Sequence, residues 1–221
     1  MILAYETSTN ICSVAFQDKN GTVFGKKTQG RSVHSDHVFL FTQELMNEHG
    51  FKINDLDAVL TSNGPGSYTG LRIAASALKG LLFGTSVDLY AGNTLASFAM
   101  NTEAEKGDTV HSIIDARRTH LYVQSFEMGK ELISRTGSKL MEISDFEQEV
   151  KAGDHIVGTG INRLDKAVLN KVSTYNEDLI SAKSLLKLFQ LPNFEDYCIK
   201  TSVEELNPNY ISSSQVNNSN T

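Results

Sequence analysis

The residues with most chemical potential form one run, Asn63-Gly64-Pro65-Gly66-Ser67-Tyr68-Thr69-Gly70-Leu71-Arg72, between an apolar segment and an alanine-rich one. Its three glycines permit positive φ. Ser67 or Thr69 can cap a helix that starts there, and the free N–H groups at a helix start attract an anion. The run lacks the Gly-Lys-Ser/Thr ending of a Walker loop, and its third glycine falls one position late for Gly-x-Gly-x-x-Gly. On these residues alone a structural strand–helix turn is a better reading than a phosphate cradle. Two other loops carry similar chemistry. Glu6-Thr7-Ser8-Thr9 is an acidic, hydroxyl-rich turn, for which local side-chain hydrogen bonds are the simpler reading. Asp115-Ala116-Arg117-Arg118 offers either an internal ion pair with a solvated arginine or a contact for an anionic or acidic partner. The candidate phosphate-facing residues are Glu6, Thr7 and Ser8 in the first loop, Gly64, Gly66, Ser67 and Thr69 in the second, and Asp115 and Arg117 in the third.

Other chemistries are poorly represented. His34 and His37 stand three apart around Asp36, but no third ligand follows at helical spacing, so no metal site is expected. There is no His-x-x-x-His pair, no Gly-x-Ser-x-Gly elbow, and no serine beside a recognisable base, so no catalytic residue is assigned. Cys12 and Cys198 have neither ligand nor redox spacing and suit a reducing compartment. The apolar start, residues 1–5, is too short for a signal peptide. No stretch nears the ~20 apolar residues of a membrane span. The expected location is the cytoplasm, away from membranes. A net charge of −6 and a pI near 5.5 have the wrong sign for a protein that grips a phosphate backbone. Any RNA in its function would be held by something else.

The elements that must position these loops recur. Residues 2–6, 11–17 and 22–28 read as three strands, followed by a helix over about 35–49 with Val38, Phe41 and Leu45 at helical spacing. A strand over 56–61 runs into the glycine loop. A helix over 69–83, a strand over 87–90 and a helix over 94–101 complete a ribonuclease-H-like half. The second half repeats the order, with strands at 111–115, 121–126, 132–140 and 156–157, and helices at 144–150, 161–171 and 178–190. An α/β fold of two lobes, each with a mixed sheet and helices, is expected. The first lobe would cover 1–104 and a smaller one 105–211. The Ser/Asn/Gln/Thr-rich residues 212–221 read as a disordered tail.

The helix after the glycine loop is apolar on most faces. Only Arg72, Ser76 and Lys79 form a narrow polar stripe, and Ala74, Ala75, Ala77 and Gly80 are small enough for close approach of another backbone. Either it is wholly internal to its lobe, or one face meets a partner.

The run from Asn63 to Ile73, with Leu3-Ala4-Tyr5-Glu6-Thr7-Ser8, His34-Ser35, Lys79-Gly80-Leu81 and Ile114-Asp115-Ala116-Arg117 in the same order, resembles the signature of the TsaB family. Residues 1–126 carry the resemblance well; Gly158-Thr159-Gly160 and Pro208-Asn209-Tyr210 extend it thinly. It implies an actin-like ATPase fold and kinship with TsaD, which transfers a threonylcarbamoyl group to the adenosine beside the tRNA anticodon. TsaD-like enzymes hold a metal with a His-x-x-x-His pair after the alanine-rich helix. The matching stretch here, residues 90–99, has no histidine. The resemblance therefore implies a non-catalytic subunit that binds TsaD through its first two long helices and works with the ATPase TsaE. ATP or ADP and metal would sit on those partners, tRNA would be engaged only through the complex, and a homodimer could form in isolation. His37, Phe41, Leu45, Arg72, Ala75, Ser76 and Lys79 are the expected partner surface. The alternative from another class is a nucleotide-dependent phosphotransferase or a peptidase of the actin-like superfamily.

Overall fold

The computed structural model describes residues 1–209 and 211; the tail expected at 212–221 lies outside them. The chain forms two six-stranded mixed sheets. In the first, β1 (Ile2–Glu6), β2 (Ile11–Gln17) and β3 (Val23–Gln29) form an antiparallel meander, while β4 (Ala58–Ser62) and β5 (Asp88–Gly92) add in parallel beside β1. In the second, β6 (Thr109–Asp115) pairs antiparallel with β7 (His120–Glu127), which carries β8 (Ile133–Ser134) and β9 (Lys139–Glu142); β10 (His155–Gly158) and β11 (Ser173–Tyr175) add in parallel beside β6. The spatial orders β5-β4-β1-β2-β3 and β11-β10-β6-β7-β8 are the same. The repeat expected from element order is thus a repeat of topology, and the actin-like, ribonuclease-H-like class is met.

Strand periodicity explains how helices cover both faces of the first sheet. Leu3 and Tyr5 point to one side and Ala4 to the other, as successive side chains must. The first side packs against α1 (His34–His49) and α2 (Tyr68–Leu81), through Val38, Phe41, Leu45, Ala75, Ala77 and Leu78. The second side packs against α6 (Lys183–Phe189), through Leu185 and Leu186. All seven residues of β2 are buried for this reason.

The division at residue 104/105 does not describe where every segment packs. Helix α3 (Thr94–Ala99) lies before it, yet packs Leu95, Phe98 and Ala99 with Val110, Ile114 and Phe126 of the second sheet. Helix α6 and β12 (Cys198–Thr201) lie after it, yet α6 covers the first sheet and β12 pairs with β5. The chain crosses back because β5 would otherwise leave a bare edge. Three expected elements also differ. Residues 132–140 form the short strands β8 and β9 with a break between them. Residues 161–171 split into a 3-10 turn at Ile161–Arg163 and α5 (Lys166–Leu169), because Asp165 caps a new helix through the Ala167 N–H. Residues 178–190 likewise reduce to a 3-10 turn and α6. Helix α4 (Ile143–Glu149) holds its expected place.

Candidate groove and loop cluster

Helix α2 begins where Ser67 caps it, the Ser67 hydroxyl accepting the Gly70 N–H at 3.3 Å. Most of its apolar surface is spent inside the first lobe. Ala75 is 8% exposed and belongs to the core, as do Phe41 at 9% and Leu45 at 1%. These three expected partner residues are therefore internal. Val38, Phe41 and Leu45 are the stripe with which α1 meets its own sheet, and helical spacing found the core. His37 is half-buried, with its Nδ1 2.9 Å from the Val33 carbonyl and its ring edge-on to Phe41. Arg72, Ser76 and Lys79 are exposed, as expected.

The surface left open is a groove of about 510 Å³ between α1 and α2, lined by Phe39 and Ser35 from α1 and by Tyr68, Arg72, Ile73 and Ser76 from α2. Phe39 is 50% and Tyr68 54% exposed, large values for aromatic rings in a folded chain. The Arg72 guanidinium lies over the Tyr68 ring. Sequence reasoning passed over Phe39 and Tyr68, although a signal existed: Phe39 and Leu40 are apolar residues off the α1 core stripe, and both are exposed.

Two of the three candidate loops come together. The Ser8 carbonyl accepts the Ser67 N–H at 2.6 Å, and a Cβ at Gly70 would overlap the Thr7 carbonyl, so the Glu6 turn and the start of α2 are in direct contact. Gly64 has φ 107°, and a Cβ there would run into the Asn209 carbonyl; Asn209 donates its N–H to Asn63 at 2.7 Å. Gly64 also exchanges bonds with Thr94 at the start of α3. Glu6, Thr7, Ser8 and Gly64 are thus buried against their own chain, and of the four candidate phosphate-facing residues in the glycine loop only Thr69 is exposed. Donors that could cradle phosphate are used to join elements. Glu6 accepts the Ser8 N–H at 2.7 Å and the Ser8 hydroxyl on one oxygen, while the other oxygen is buried with no hydrogen-bond partner. Burial pushes its carboxyl up to about 7, against the Ser8 bonds that hold it down. Asp115 and Arg117 are exposed in the second lobe, where Asp115 accepts the Arg117 N–H and pairs with Arg163. Arg117 and Arg118 both have positive φ at this hairpin tip, a strained place for non-glycine residues.

A Ser–His–Asp arrangement also exists that no local motif announced. His111 Nδ1 is 2.8 Å from Ser125 Oγ and its Nε2 is 2.9 Å from Asp154 Oδ2. All three are buried, and Asp154 is further tied by the Lys151 N–H. A nucleophile must reach a substrate; this one is enclosed, and its geometry serves to fasten β6, β7 and the turn before β10.

Comparison with known proteins follows the topology. A family model described as TsaD, tRNA N6-adenosine threonylcarbamoyltransferase, matches residues 27–183. The chain belongs to that family. Within it, the chain is similar to proteins named TsaB, tRNA threonylcarbamoyladenosine biosynthesis protein. It is 31% identical to the Haemophilus influenzae protein over 126 residues, 55% of this chain and 51% of that one. It is 31% identical to the Escherichia coli protein over 127 residues, 57% and 54% of the two chains. The chain spans about half the length of these TsaB relatives. YeaZ from Pseudomonas aeruginosa superimposes with a TM-score of 0.77 at 24% identity, covering 95% of this chain and 99% of that one, a likeness of fold. The TsaB resemblance read from the signature run is borne out. Among the described residues no helix is long and apolar enough to cross a membrane.

Proposed function

We propose that this chain is a non-catalytic activator in tRNA threonylcarbamoyladenosine synthesis, docking a TsaD-type catalytic subunit in the α1–α2 groove and working with a TsaE-type ATPase. The observation that carries the reading is the open aromatic groove beside the glycine loop, on a chain whose relatives are named for this pathway. Phe39, Tyr68 and Ile73 supply apolar contact, and Arg72, Ser76 and Lys79 supply a polar border, the composition expected of a docking site. Phosphate-facing donors used to join elements, an enclosed Ser125 and an acidic surface all favour a scaffold over an enzyme. In this reading ATP or ADP and metal belong to the partner subunits, and tRNA is engaged through the assembled complex.

Reconstitution tests it. Purified TsaD, TsaE, ATP and an enzyme that makes threonylcarbamoyl-AMP should modify tRNA only when this chain is added, and this chain alone should transfer nothing. Full modification without it would end the proposal. Sedimentation of the chain alone over a concentration series tells whether a second copy occupies the groove instead.

A further inference from the structure

The start of α2 rests on polar groups in series. The Ser8 N–H and hydroxyl both donate to one oxygen of Glu6; the Ser8 carbonyl accepts the Ser67 N–H; the Ser67 hydroxyl accepts the Gly70 N–H and caps the helix. Cβ atoms at Gly66 and Gly70 would overlap the carbonyls of Ser8 and Thr7, so the turn and the helix start move as one. The second Glu6 oxygen and the Thr7 hydroxyl are buried without a hydrogen-bond partner among the described residues. Such atoms are uncommon in folded proteins and costly.

We propose that Glu6 is a positioning residue for the α1–α2 groove: the charge on its carboxyl group, passed through Ser8 to Ser67, sets how firmly the first turn of α2 is held and so how tightly the groove takes its partner. This rests on the docking role proposed above. Ionised, Glu6 accepts charge-assisted bonds from Ser8 and places negative charge near the α2 N-terminus, where the helix dipole favours it. Tyr68 leaves from that first turn, and Arg72, one turn on, stacks over its ring. Neutral, Glu6 keeps weaker bonds and escapes the penalty of burying charge. The lone chain is therefore more stable with Glu6 neutral, while the groove is better ordered with Glu6 ionised.

The neighbours leave Glu6 to titrate largely by itself. Ser13 stands opposite it on β2, Ser62 lies on β4, and Ser67 to Gly70 on α2 bring no charge. Cys12 feels the Glu6 charge, but its thiol is pushed up to about 12, chiefly by burial. His34 of α1 is turned to the Ile11 carbonyl at 3.1 Å, and burial lowers its pKa. With the Glu6 carboxyl lifted to about 7, both of its forms are populated near neutrality.

Calorimetric titration of the full chain with the catalytic subunit, from about pH 6 to about pH 8.5, tests the idea with Glu6→Gln as the fixed neutral form. Wild-type affinity should rise about fivefold or more over that range, while Glu6→Gln stays at the weak, low-pH value. Ser8→Ala, which removes one donor and leaves the carboxyl group, should shrink the rise. Amide exchange at Gly70 and Leu71 in the lone chain, referenced to intrinsic rates, should show the same pattern without any partner. If wild-type chain does not bind the catalytic subunit, the docking reading fails and the exchange data alone judge Glu6. Matching exchange profiles for wild type and Glu6→Gln overturn the proposal. So does wild-type affinity that falls together with stability as pH rises, the outcome of a merely structural Glu6.

Discussion

The guanidinium of Arg72 lies 3.9 Å from the centre of the Tyr68 ring, one turn earlier on α2. This stack holds an exposed aromatic side chain at the mouth of the groove, where its burial by a partner would release most of its apolar surface from water. An exposed cation–π contact contributes about 0.5–1 kcal/mol to the lone chain, but a ring at the centre of an interface contributes more. Tyr68→Ala and Phe39→Ala should each weaken binding to the catalytic subunit by about tenfold or more, with changes in unfolding free energy within about 0.5–1 kcal/mol. Surface-plasmon binding and urea unfolding of the same preparations measure the two effects separately.

Blocking the groove calls for an exposed position. Ala75 is in the core, so a bulky charged residue there should unfold the chain rather than merely prevent docking. Ser76, on the exposed face, is the better site. Ser76→Trp should abolish co-purification with the catalytic subunit while the melting temperature stays near wild type. Phe41→Ala should instead lower stability by about 3–5 kcal/mol, because its ring is packed under α1. Retained co-purification of Ser76→Trp would place the interface elsewhere.

Two glycines of the same helix should respond oppositely to alanine. At Gly70 a Cβ would overlap the Thr7 carbonyl, and backbone cannot give way as a flexible side chain can. Gly70→Ala should cost several kcal/mol, at the upper end of single-substitution effects. At Gly80 the space is open, with nothing within 4 Å. Gly80→Ala should stabilise the chain by about 0.5–1 kcal/mol through helix propensity. Thermal unfolding of the pair reads both signs.

Glu6 gives stability a pH dependence of definite sign. Its carboxyl is raised from 4.5 to about 7 in the folded chain, so folding favours the protonated form. That contribution is fully present below about pH 4.5 and is lost as pH rises through about 7. At ~1.4 kcal/mol per pH unit, ionising it costs on the order of 3 kcal/mol. Glu6→Gln should therefore be more stable than wild type at about pH 8 and no more stable at about pH 5, by denaturant unfolding at each pH. Equal differences at both values would remove Glu6 as the titrating group.

The buried His111 should behave as a fastener. Ser125→Ala leaves a ring nitrogen unpaired and should destabilise by about 1–3 kcal/mol without changing reconstituted tRNA modification per folded molecule. A specific loss of modification in a stable Ser125→Ala protein would assign that cluster a different role.

Local pattern determined the elements and their order. Short runs rich in Ile, Val and Phe between polar or glycine breaks marked β1 and β2, the Val38–Phe41–Leu45 spacing marked α1, and the Asn63 to Ile73 run identified the family, because composition, periodicity and turn chemistry are properties of neighbouring residues. Only the tertiary structure decided which apolar residues remain outside: Phe41, Leu45 and Ala75 are covered, while Phe39 and Tyr68 are not, since coverage depends on segments far away in the chain. The return of β12 to β5, and the meeting of His111 with Ser125 and Asp154, were beyond local reading for the same reason. The fate of the glycine loop was decided likewise. Its residues could serve an anion or a joint, with the joint the better reading, and the Thr7 and Ser8 carbonyls, brought over by strand pairing, made it a joint.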